Sequence, residues 1–165
     1  MDWLLGRRRA SEPPNVEPPE LQPIHLYSSD AMFAGWVHTA GERITDILHR
    51  GDELAVLPEG ADHQDPDAWL AVNPDALLAV VPPPHLSRPE LRLHRQREAI
   101  LIRTGPYRIS GTAHLKPGHG QDPFVRATQP FLPLTDALVQ RDEEQPERFD
   151  VVIVNLRLME EFQEL

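Results

Sequence analysis

IHLYSSDAMFAGWVHT at 24–39 aligns without a gap on ILIRTGPYRISGTAHL at 100–115. Ile24 falls on Ile100, Gly35 on Gly111 and His38 on His114, and the register runs on to Asp46 on Asp122 and Arg50 on Arg126. Leu26/Ile102, Ser28/Thr104 and Phe33/Ile109 are conservative matches in the same frame. Such a match predicts an internal repeat, and so two units of one design.

Each copy reads as β. IHLY and AILIR are short apolar strands, followed by turns at Ser28–Asp30 and Thr104–Pro106. The next strand alternates, with Phe33, Gly35 and Val37 on one face and Ile109, Gly111 and Ala113 on its counterpart. Glycine on an apolar strand face marks a bulge, a bend or a close backbone approach. Ile44, Ile47 and Leu48 are spaced for one or two helical turns, whereas the second copy has HGQDPF there. Leu54–Leu57 and Phe131–Leu134 read as further strands, displaced by one residue between copies. ALLAVV at 76–81 and VVIV at 151–154 close the units as strands buried on both faces. MEEFQEL at 159–165 reads as a short helical tail with Met159, Phe162 and Leu165 on one side. DEEQPER at 142–148 reads as a solvated acidic loop.

The 165 residues include 18 prolines, concentrated at 13–23 and 82–89. Proline there denies the backbone both helix and sheet bonds and marks linkers. The expected organisation is a disordered Pro-rich tether with a docking peptide at 1–23, a β-repeat at 24–82, a linker at 83–90, and a second repeat with a tail at 91–165. The expected fold class is all-β with minor α: duplicated small β-barrel or sandwich units with pseudo-twofold symmetry. A half alone is too small to be more than marginally stable, so the two should share a core or pack face to face.

A net charge of −10 argues against a protein whose task is to coat nucleic acid, since that surface repels phosphate. Without cysteine there is no disulfide framework, no Cys-ligated zinc and no thiol catalysis. Lys116 is the only lysine among arginines, which reads as a GC-rich, bacterial coding sequence rather than selection for phosphate recognition. No run approaches the ~20 apolar residues of a membrane span. MDWLLGRRR lacks the order of a secretory signal, so a cytoplasmic location is expected.

The second unit, YRISGTAHL at 107–115 followed by PFLPLTDALV at 130–139, resembles a bacterial family of uncharacterised small β-rich domains. That family carries the pattern aromatic-Arg-Ile-x-Gly and later Phe-x-Pro-Leu-Thr-Asp-Ala. The first unit, with Arg43–Leu48 as its Arg-Ile-Thr-Asp-Ile-Leu stretch, is similar to the same module. The resemblance covers about two-thirds of the chain. It implies a small β-rich module with an Sm-like strand order, and it carries no catalytic residue.

His114, His119 and Asp122 have the residue types of a metal cluster, but Arg43 stands at the place of His119 in the first copy, where a cation opposes metal. The histidines are therefore read as loop residues, and no metal or cofactor is expected. His38 and His114, on the polar strand face, are read as solvent-facing. Asp46 with Arg50 has the i, i+4 spacing of a surface pair, as does Asp122 with Arg126. No G-x-S-x-G, P-loop, H-E-x-x-H or Rossmann fingerprint occurs, so no enzyme is expected. Arg92, Arg95, Arg97, Arg103 and Arg108 form a basic stripe, either a candidate anion-binding surface or the charged guard of an edge strand. Trp3, Leu4 and Leu5 followed by Arg7, Arg8 and Arg9 form a candidate partner-binding peptide at the tip of the tether.

The sequence thus points to a non-catalytic protein-interaction or scaffold module. The alternative is a nucleic-acid-binding protein using an Sm-like barrel surface and the stripe at 92–108. A protein partner is expected, a homo-oligomer is compatible with the repeat, and the N-terminal peptide allows a weak peripheral membrane contact.

Overall fold

The computed structural model describes residues 20–84, 96–116, 127 and 129–165. Among these residues, ten strands and one α-helix follow in chain order: β1 (Gln22–Tyr27), β2 (Met32–Val37), α1 (Ile44–Arg50), β3 (Leu54–Pro58), β4 (Leu70–Val72), β5 (Ala79–Val81), β6 (Gln96–Thr104), β7 (Tyr107–Leu115), β8 (Phe131–Arg141), β9 (Glu147–Asn155) and β10 (Glu161–Glu164). They form one antiparallel sheet in the order β10-β6-β7-β8-β9-β5-β1-β2-β3-β4. No pairing joins β10 to β4, so the sheet stays open. The expected barrel or sandwich closure is corrected on this point: each half hands its last hydrogen-bonding edge to the other half or to solvent rather than to itself.

The two hairpins meet in matching registers. Ile24 faces Gly35 and Leu26 faces Phe33 across β1 and β2; Ile100 faces Gly111 and Ile102 faces Ile109 across β6 and β7. Farther out, Val37 faces Val56 on β3, and Ala113 faces Leu134 on β8. Leu54 then faces Val72 on β4, and Leu132 faces Val154 on β9. These registers align Leu54 with Leu132, one residue beyond the displacement expected from the sequence. A separate extra residue sits farther along β8 at a β-bulge, where Asp136 and Ala137 lie between the Thr112 and Ser110 pairings and Asp136 has a φ of +49°.

Both halves end alike. Asn73 caps a 3-10 turn at Pro74–Ala76 and leads into β5, which pairs with β1. Asn155 caps a 3-10 turn at Leu156–Leu158 and leads into β10, which pairs with β6. The C-terminal segment is therefore a strand with a single 3-10 turn before it, not the helical tail its spacing suggested. The open backbone of β6 supplies hydrogen-bond partners that an isolated short helix cannot match.

Ala79 faces Val154 and Val80 faces Ile153 at the β5–β9 joint between the halves. A pseudo-twofold axis requires like strands to meet at the joint. Here β5, the partner of β1, meets β9, the partner of β8, so the arrangement is head to tail, and the twofold expectation is corrected.

Burial follows from this join. One apolar cluster centres on Ile100, Ile102, Ile109, Leu134 and Val152 but takes in Tyr27 and Ala79 from the first half. The other centres on Ile24, Leu26, Val37, Val56 and the α1 residues Ile44, Ile47 and Leu48, and takes in Phe131 and Ile153 from the second. Val80 and Ile153 are almost wholly buried, and burying each such side chain contributes about 1.5–3 kcal/mol. The helix stops at Gly51, whose φ of +76° lets its N–H reach the Leu48 carbonyl at 3.2 Å.

Candidate functional site

The chain offers two kinds of surface that a ligand or partner can use: a cleft beside α1 and the two free edges of the sheet.

The cleft has a volume of about 870 Å³ and lies where α1 and β1 meet the starts of β8 and the middle of β9. His25, His49 and His114 line it, together with Arg43, Asp46 and Phe149. The amphipathic pattern of α1 places Ile44, Ile47 and Leu48 in the core, which turns His49 toward β8. Its Nε2 accepts the Phe131 backbone N–H at 3.2 Å, and the ring lies 5.6 Å from the Phe131 ring. Burial holds the His49 imidazole below its ordinary pKa. An N–H donated into Nε2 also occupies that lone pair, so the ring is neutral with its proton on Nδ1. Nδ1 is buried without a hydrogen-bond partner among the described residues. His25 packs edge-on against Phe149 at 6.0 Å and likewise leaves its Nδ1 unpartnered. The cleft thus sets imidazole rings beside Arg43 and Asp46, with the His25 and His49 Nδ1 atoms buried.

Among the described residues, no group of three or more His, Asp or Glu side chains is placed to hold a metal ion. Of the HLKPGHGQD cluster, His119 and Asp122 lie outside the described residues, while His114 stands on β7 opposite Arg97 with both ring nitrogens buried, which corrects its reading as solvent-facing. His38 is exposed just beyond β2. Asp46 and Arg50 do not pair as their spacing suggested. Arg50 instead binds the Glu42 carboxylate and lies 3.5 Å from Asp52.

Trp3, Leu4, Leu5 and Arg7–Arg9 lie outside the described residues, as do Arg92 and Arg95. Arg97, Arg103 and Arg108 share the outer face of the β6–β7 ribbon: Arg103 faces Arg108 across the strands, and Arg97 faces His114. Arg103 is paired with Glu161 of β10 at 3.0 Å, so it is not a bare cation.

The edges differ from the interior in a way the sequence reading missed. On β4, Leu70 is 44% exposed. Val152, which stands in the same register place on β9, is buried. On β10, Phe162 is half-buried where its counterpart Val80 on β5 is fully buried. Leu158 and Leu165 beside β10 are exposed. The contrast is sharpest at the caps. Asn155 is wholly buried: its Oδ1 accepts the Arg157 N–H at 3.1 Å and its Nδ2 donates to the Leu77 carbonyl across the joint at 3.0 Å. Asn73 caps its own turn at 3.0 Å through Asp75 but is exposed. The signal lay in the pairs Val72-Asn73 and Val154-Asn155, which the 24–50 alignment does not reach.

No helix among the described residues is long and apolar enough to cross a membrane. Compared with protein-family models, with curated proteins and with solved structures, the chain matches none.

Proposed function

We propose that the chain is a non-catalytic protein-interaction or scaffold module, made by tandem duplication of a five-stranded unit and presented on an N-terminal docking tether. The observation that carries this reading is the open sheet, which ends in two unlike edges bearing exposed or half-exposed Leu70, Phe162 and Leu158. Unpaired strand edges flanked by apolar side chains recruit other strands through main-chain hydrogen bonds. Duplication is supported by the matched Ile24–Gly35 and Ile100–Gly111 registers and by the twin Asn caps. The family resemblance of the Tyr107–Leu115 and Phe131–Arg141 strands fits the same β-rich module.

The test is purification of the tagged full-length chain from its own cells, beside a chain lacking residues 1–10 and one carrying Ala71→Pro on β4. The intact chain should bring down a stoichiometric partner, another copy of itself included, and at least one variant should lose it at unchanged melting temperature. An intact chain that brings down nothing ends the proposal.

A second reading, nucleic-acid binding, is favoured by the shared face of Arg97, Arg103 and Arg108. It requires RNA affinity that falls steeply with salt. The pairing of Arg103 with Glu161 and the net charge of −10 both oppose it.

A further inference from the structure

The joint inside the chain is a worked example of what its two outer edges can do. On the first side of that joint stands β5, a strand that follows an Asn-capped 3-10 turn and pairs inward with β1. On the other stands β9, a strand that ends in such an Asn and pairs inward with β8. The outer edges are the same two surfaces left without their partners. At one end, β10 follows the Asn155-capped turn and pairs inward with β6. At the other, β4 ends in Asn73 and pairs inward with β3. Even the entry bonds agree: Leu78 N–H donates to the Tyr27 carbonyl at 2.8 Å, and Glu160 N–H to the Arg103 carbonyl at 2.8 Å.

We propose that copies of this chain associate head to tail, β4 of one copy pairing antiparallel with β10 of the next. This rests on the interaction-module reading above and names its partner as a second copy. The internal register, Ala79 with Val154 and Val80 with Ile153, fixes the external one. Glu161 faces Val72, Phe162 faces Ala71 and Gln163 faces Leu70. Phe162 and Leu70 then lose their exposure as Val80 and Val152 already have. The Asn73 Nδ2 gains the Met159 carbonyl of the next copy, as Asn155 has that of Leu77. The Asn73 backbone N–H gains the Glu160 carbonyl, as Asn155 donates to Leu78 at 2.9 Å.

The contact joins unlike surfaces, so every added copy leaves one β4 and one β10 still open. The assembly therefore grows until it closes into a ring, or continues as a filament. Acids stand at both edges, Glu160 beside β10 and Asp65 and Asp67 before β4. Added salt screens that repulsion and strengthens the contact.

The experiment is sedimentation velocity of the full-length chain over a concentration series, for the native chain and for Asn73→Asp. The aspartate keeps the capping oxygen but removes the amide donor and adds a charge. The native chain should grow beyond a dimer with concentration, more so at raised salt, and Asn73→Asp should weaken association at least about tenfold at unchanged melting temperature.

Register is read separately in the cysteine-free background. A Leu70→Cys chain mixed with a Gln163→Cys chain should oxidise to the mixed disulfide, in preference to either homodimer and to a Val72→Cys with Gln163→Cys mixture. This readout still applies if Asn73→Asp misfolds. A monomer at every concentration overturns the inference, and so does a closed dimer cross-linked Leu70→Cys to Leu70→Cys. If such a monomer still captures a different protein, only this inference falls and the module reading stands; if it captures nothing, both fall.

Discussion

A methyl group placed on Gly35 would lie 2.5 Å from the backbone carbonyl oxygen of Leu57 on the neighbouring strand. Gly111, its counterpart in the second hairpin, meets its neighbour more gently: the nearest atoms are the Leu134 Cβ and the Thr135 carbonyl, each at 3.0 Å. Both glycines thus mark close backbone approach between the second and third strands of a half. The second half relaxes that approach with the bulge at Asp136.

The difference predicts unequal costs. Gly35→Ala drives a methyl into backbone that cannot rotate away and should destabilise by about 2–3 kcal/mol, near the upper end for overpacking. Gly111→Ala should cost about half of that, because the bulged strand can give. Denaturant titrations of both variants check the order, and a larger loss for Gly111→Ala would refute it.

The hairpins, the α1 helix and the close glycines were legible because their signals are local. Ile44, Ile47 and Leu48 fall on one side of any helix, and alternation fixes which face of a strand is buried. The join of the halves was not legible. ALLAVV and VVIV look like equivalent closing strands by composition, yet β5 and β9 occupy opposite sides of one joint. Nothing in an apolar run says which neighbour it will meet. The last strand was misread because Met159, Phe162 and Leu165 suit a helical face, while the deciding partner, the open edge of β6, lies far away in sequence. His25 and His49 escaped notice for the same reason. His49 takes its role from Phe131, a tertiary neighbour no motif encodes.

His49 makes stability pH-dependent in a defined direction. Its folded pKa lies below the ordinary 6.5, so the unfolded chain binds the proton more readily. The contribution is complete above that ordinary value, declines as pH falls below it, and levels off once pH is below the folded value. His49→Gln should flatten this part of the stability profile relative to the native chain. Equal slopes in the two proteins from neutral pH into the acid range would show that His49 is not the group responsible.

Tyr27 and Tyr107, the only tyrosines, stack edge to face with ring centres 5.1 Å apart. Burial first, then Glu147 and Tyr107, push the Tyr27 phenol up to about 12, and burial raises Tyr107 as well. At pH 10.0, where an ordinary phenol is half ionised, the phenolate absorbance of the native protein should be well below half of its final value. Because the folded state holds these protons more tightly, their stabilisation is intact below the ordinary phenol value and is lost as pH rises through the folded values. A half-complete titration at that pH would contradict the packing of the pair. The Tyr107 hydroxyl is also buried without a hydrogen-bond partner among the described residues. Tyr107→Phe should therefore stabilise the protein by about 1 kcal/mol, the cost of an unmet buried hydroxyl.

The twin asparagines supply the last prediction, because one cap sits inside a joint and the other outside it. Replacing Asn73 by alanine removes only the cap that receives the Asp75 N–H, a change of about 1 kcal/mol at an exposed turn. Replacing Asn155 by alanine removes the corresponding cap, and it also leaves the Leu77 carbonyl without its donor in a dry interface between the halves. A buried acceptor left unmet adds about 1–3 kcal/mol, and the emptied side-chain volume adds to that. Asn155→Ala should thus cost about 2–4 kcal/mol in denaturant unfolding of the dilute, dissociated chain. The penalty should appear as a single weakened transition, since Phe131 and Ile153 lie in the core of the first half and Tyr27 and Ala79 in that of the second. Equal losses for the two variants would mean that the β5–β9 joint does not depend on the Asn155 amide.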